Sequence, residues 1–199
     1  KTAYEIKECD WSSDVCSSDL LEEITTTPGD SAWAELREAQ NYAAEVLDNV
    51  GVAVITDLGD KDDIHPTRKQ PVGARLALLA REIAYGDKSV LAHGPTYRNV
   101  TFHGSKAIVT FDNVGAGLNF KGEKLTGFSI AGEDGRFHWA EARFEGRNAV
   151  ALHSPEVAKP VAVRYGWADF PVVNLFNSAG LPTSPFRTDS WPAPTLNKR

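Results

Sequence analysis

The hydrophobic period of the chain changes once, between residues 87 and 94, so two differently built pieces are expected. Upstream, Ser31 to Leu47 (SAWAELREAQNYAAEVL) is dense in helix formers. Trp33, Leu36, Ala43, Val46 and Leu47 recur there at helical spacing, and Asp30 or Ser31 can cap the amino end. The continuous apolar run Val50 to Thr56 (VGVAVIT) has the composition of a strand buried on both faces of a parallel sheet. A polar loop, Asp57 to Lys69, leads to a second expected helix from Pro71 to Ala84, with Pro71 in its first turn and Gly86 as its carboxyl cap. Helix, buried strand, polar loop and helix make an α/β fragment.

Beyond the change of period, short alternating runs follow at intervals typical of antiparallel sandwiches: Tyr97–Phe102, Ala107–Phe111, Gly127–Ile130, Phe137–Phe144, Ala149–His153 and Val161–Trp167. His103-Gly-Ser, Glu133-Asp-Gly and Glu145-Gly-Arg-Asn read as hairpin turns between them. The stretch from Asp169 to Arg199 is rich in Pro, Asn and Ser and is expected to pack as ordered loop up to about Trp191. The expected architecture is therefore an α/β fragment over residues 21–88, followed by an antiparallel β-sandwich-like domain over 89–199.

Residues 1–20, KTAYEIKECDWSSDVCSSDL, stand apart from this plan. DWSSDVCSSDL is what a common sequencing-adapter oligonucleotide encodes in one frame, and KTAYEI is the translation of its other end, so the segment reads as non-native. The competing reading is a secreted polar segment with Cys9 paired to Cys16. Both cysteines of the chain lie there, and with its five acids and two bases it carries half of the formal net charge of −6. The remainder holds no thiol chemistry. It has no basic patch to suggest nucleic acid and no apolar run near the roughly 20 residues of a membrane span. The absence of methionine and of a signal peptide fits a reading frame that begins inside a gene, with native protein expected further upstream.

In α/β enzymes, chemistry gathers on loops at the carboxyl ends of strands, and Asp57–Lys69 occupies that place. It holds Asp57, Asp60, Asp62, Asp63 and His65. A carboxylate two or three residues before a histidine can fix one ring nitrogen while the other takes a proton from a hydroxyl. A solvated acidic loop with an incidental histidine has the same letters. The aspartates lack the alternating spacing and distal glutamate of a calcium loop. His93, His103, His138 and His153 are too scattered for zinc, so no metal or cofactor is expected.

Several blocks in order carry a family resemblance. TDLGDKDDIHPTRKQPVGARLALLA, with WAELREAQ before it, resembles the last catalytic block of the sialate O-acetylesterase family, whose catalytic domain is an SGNH-type, doubly wound serine esterase. GPTYRNVTFHGSKAIVTFDNVGAGL, GFSIAGEDGRF and VAVRYGWADFPVVNLFNSAGLPTSPFRTD are similar to that family's C-terminal β-rich region, so the resemblance runs from about Ala32 to Asp189. It implies removal of acetyl groups from sugar hydroxyls by a histidine-activated serine, in a periplasmic or secreted protein. His65 is then the general base. Asp63 is the better matched orienting carboxylate, while Asp62 satisfies the wider SGNH spacing, and the two stay open. Arg37 and Gln40 match the family's Arg-Glu-Ala-Gln helix and serve either as substrate-binding groups or as a buried structural pair.

No credible nucleophile accompanies them. Ser31 follows Gly-Asp but leads into a helix without a preceding strand, and reads as a cap. Ser129, in Gly127-Phe-Ser-Ile-Ala, lies in alternating β sequence and not at a strand-to-helix elbow. The expectation is an inactive C-terminal part of an esterase whose serine lies in the missing N-terminal part of its catalytic domain. The competing reading is a non-catalytic β-sandwich module that binds glycans or acts as scaffold, with Trp139 or Trp167 as a stacking platform in place of core filling.

Overall fold

A computed structural model of the chain describes residues 28–61, 63, 65, 67–193, 195 and 196. Residues 1–20, Asp62 and the last three residues lie outside it. Two helices, α1 (Ala32–Val46) and α2 (Lys69–Ile83), precede ten strands. These are β1 (Thr96–His103), β2 (Lys106–Asp112), β3 (Leu118–Phe120), β4 (Phe128–Ala131), β5 (Phe137–Trp139), β6 (Glu141–Glu145), β7 (Ala149–His153), β8 (Ala162–Tyr165), β9 (Leu175–Asn177) and β10 (Phe186–Arg187). The change of period thus falls where helices give way to strands.

All described strand pairs are antiparallel. They form two four-stranded sheets, ordered β1-β2-β7-β6 and β10-β8-β4-β5, and a small β3-β9 ribbon. Alternation aims Ala107, Val109 and Phe111 of β2 and Val150 and Leu152 of β7 at Phe128, Ile130, Val163, Tyr165 and Phe186 from the other sheet, so both sheets share one core. The connecting turns are those expected from sequence. Gly104, Gly135 and Gly146 all take positive φ, where a side chain would strain the backbone.

Phe137–Phe144, expected as one strand, is divided between the sheets: β5 pairs with β4, and β6 pairs with β7. The chain crosses between layers at Ala140, whose N–H still donates to the Phe128 carbonyl at 3.0 Å. Alternation cannot register such a crossing, because the inward face remains inward on both sides of it. The loop-rich C-terminal stretch supplies β9 and β10.

A second departure concerns Val50–Thr56. Residues 50–55 form no strand, and Val52–Ile55 are only half-buried. A strand exists only through its ladder partners, and no described residue pairs with this segment; the Val54 carbonyl instead accepts from Arg75 Nη1 at 2.7 Å.

α1 faces unexpectedly. Ser31 caps it through a 3.0 Å bond from the Ala34 N–H. Its polar side then lies against the outer face of the β10-β8-β4-β5 sheet. Arg187 of β10 grips the Glu38 carboxylate at 2.7 and 3.0 Å, Asn41 donates to Ser184 Oγ at 2.8 Å, and Thr195 bonds Glu35. Arg164 of β8, almost fully enclosed, holds Asp189 by two bonds and Asp30 by one at 3.0 Å. At about 100° per residue, Leu36, Ala43 and Leu47 point roughly the opposite way. Leu36, Val46 and Leu47 are 45%, 55% and 56% exposed while Trp33 and Ala43 are half-buried, so most of the stripe read as a core face stands open.

Candidate active site

The polar loop between residue 57 and α2 carries the sequence candidates, and Asp57 secures its start. Arg75, on the buried side of α2, bonds both Asp57 oxygens at 2.6 and 2.8 Å. Leu58 is buried beside this pair, and its N–H closes a turn onto Ile55. The two-sheet region also reaches the loop: a Cβ at Gly59 would lie 3.6 Å from the Phe170 ring.

Further along, Asp63 Oδ1 accepts from the His65 backbone N–H at 2.8 Å and meets His65 Nδ1 at 3.1 Å. The first contact is the local turn that an aspartate makes with the residue two positions on, and it brings the ring over the same oxygen. These hydrogen bonds, the backbone one foremost, hold the Asp63 carboxyl below its ordinary range, with the charge of Lys69 assisting. With Nδ1–H donating to Asp63, His65 Nε2 is left without a partner among the described residues. The side chain is 74% exposed, so nothing described here excludes water from it.

The other candidates do not join this pair. Asp62 lies outside the described residues. Arg37 donates to the Asp169 carbonyl at 3.3 Å and to the Ala168 carbonyl, which makes it a strut between α1 and the two-sheet region. Burial lowers its pKa to about 10 against the opposing charge of Asp169. Gln40 is exposed amid the outward apolar stripe of α1. Ser31 is occupied as a cap and bonds Asp169, and Ser129 is buried within the β4 ladders. Trp167 is buried with the Arg164 and Arg187 guanidiniums 5.2 and 5.3 Å from its ring, while Trp139 is 38% exposed on the edge strand β5. Sequence reading passed over Arg75, whose only signal is an arginine set among the small and apolar residues of VGARLALLA.

No family model matches the chain. Sequence and structure comparisons nonetheless agree, since each finds relatives named as acetylesterases. The crystal structure of a carbohydrate acetylesterase from Xanthomonas citri superposes with a TM-score of 0.76 and 47% sequence identity, over 81% of this chain and 37% of that one. Sialate O-acetylesterase of Homo sapiens is 31% identical over 156 residues, which is 70% of this chain and 29% of the human protein. The mouse enzyme is 27% identical over 168 residues, 77% of this chain and 31% of its own length. The chain belongs to the sialate O-acetylesterase family. It spans about a third of the length of these relatives.

Proposed function

We propose that the chain is the C-terminal part of a carbohydrate O-acetylesterase, joining the end of an SGNH-type catalytic domain to a β-sandwich. The observation that carries this reading is the Asp63–His65 contact, on a loop rooted by Arg75. Asp63 fixes the tautomer, and Nε2 takes the proton of a serine hydroxyl as the serine oxygen bonds to the acetyl carbonyl carbon. The tetrahedral intermediate collapses, and the departing sugar oxygen takes that proton back from His65. Water, deprotonated by the same nitrogen, then frees acetate from the serine. The serine and the groups that stabilise the oxyanion belong to an upstream part of the polypeptide. That part also covers the outward stripe of α1 and pairs with the segment around Val52 to Ile55.

The substrate class is an acetylated sugar, from the relatives' names, and the intact protein acts outside the cytoplasm. No helix among the described residues is long and apolar enough to cross a membrane. The test is hydrolysis of a small acetyl ester. The isolated chain should not turn over, whereas the intact enzyme should, with His65→Ala lowering its kcat by about 10²- to 10⁴-fold. Turnover by the isolated chain that His65→Ala abolishes would mean that the nucleophile lies within these residues.

A further inference from the structure

We propose that Arg75 is a positioning residue, whose clamp on Asp57 holds the loop so that Asp63 and His65 stay in register. The proposal rests on the esterase reading of that pair and extends it to a residue that touches neither partner. The loop is tied to α2 at both ends. Its far end becomes α2 at Lys69, and its near end is bound to α2 through Arg75.

Three bonds converge on this guanidinium, two to Asp57 and one to the Val54 carbonyl, and Arg75 and Asp57 are 11% and 12% exposed. A planar fork can satisfy a carboxylate and a carbonyl together, whereas an ammonium acts as one point charge. Two residues beyond Asp57, Gly59 faces the Phe170 ring, 3.6 Å from where its Cβ would lie. The clamp therefore fixes the loop root against α2, beside the place where Gly59 meets the two-sheet region. His65 itself is held by nothing described beyond Asp63, so the register of the pair depends on how firmly the root is held.

The test uses the 199-residue chain, 15N-labelled at histidine, and reads the tautomer of the His65 ring from its two nitrogen resonances at alkaline pH. A ring whose Nδ1–H donates to Asp63 is held in that tautomer, whereas an unheld imidazole is free to carry its proton on Nε2. With Arg75 in place, Asp63→Ala should lower the Nδ1–H fraction by about twofold or more. In an Arg75→Met background the same change should shift it by less than about 1.2-fold. Arg75→Lys, which keeps the charge and the helix, should lose the coupling as well and serves if the methionine variant fails to fold.

A shift that survives in either background overturns the role of Arg75 alone. No shift even with Arg75 present removes the Asp63–His65 pair and the esterase reading with it. A lower Tm would follow from a purely structural arginine too, so the coupling decides.

Discussion

The helical segment and the two-sheet region of this chain treat apolar side chains in opposite ways. Among the described residues, only Ala34, Leu58 and Leu79 of the buried hydrophobic ones precede residue 89, whereas seven large exposed ones, Leu36, Tyr42, Val46, Leu47, Val50, Leu76 and Tyr85, lie between residues 36 and 85. The two-sheet region closes on itself because its two inner faces supply each other. α1 supplies one face to the sheets and leaves the other open. Burial, more than secondary structure, separates a self-sufficient unit from one that needs a partner.

Substitution on either side of this contrast should give very different stability changes. Phe128→Ala, in the fully enclosed shared core, should cost about 3–5 kcal/mol in denaturant unfolding. Leu36→Gln with Leu47→Gln, on the open stripe, should stay within about 0.5 kcal/mol each. The same pair should reduce self-association of the isolated chain in sedimentation. Equal costs at the two sites would erase the distinction between the regions. A monodisperse, cooperatively melting wild-type chain would argue that the stripe needs no cover.

The seam between the regions should respond more weakly. Glu38→Ala breaks its pairing with Arg187, and because Glu38 is 39% exposed, solvent screening limits the loss to about 0.5–1 kcal/mol, shrinking further in high salt. A salt-independent loss would mean that packing, not charge, joins α1 to the sheets. The smallest effect concerns Asp87, just beyond α2. Hydrogen bonds from Ser89, foremost its side chain, and from Arg81 lower its pKa to about 2 from an ordinary 3.8. The folded state therefore binds this proton less readily than the unfolded chain. The contribution of Asp87 is fully present above about pH 4 and disappears as pH falls towards 2. Asp87→Asn should remove that share of the acid dependence, and an unchanged acid profile would rule the contribution out.

Local signals made much of this legible. Helical spacing located α1 and α2 within a residue or two, and alternation with turn glycines located most of the main strands. What escaped is set by partners far along the chain. The apolar run at Val50–Thr56 has strand composition, yet no ladder forms among the described residues. The Ala140 crossing hides inside an unbroken alternation. At the site, Asp-Ile-His was legible because the contact spans two residues, while Arg75 reaches back 18 residues to Asp57 and leaves no local pattern.

The two faces of α1 also differ in when they can be satisfied. Synthesis runs from the amino end, so the sheets that receive Glu38 and Asn41 are made after the helix. Polar side chains lose little while they wait, because water serves them in the meantime. An apolar stripe left waiting for the same interval would invite aggregation. In the intact protein proposed here, the partners of that stripe are made first. The helix thus presents its sticky side to what already exists and its wettable side to what has yet to emerge.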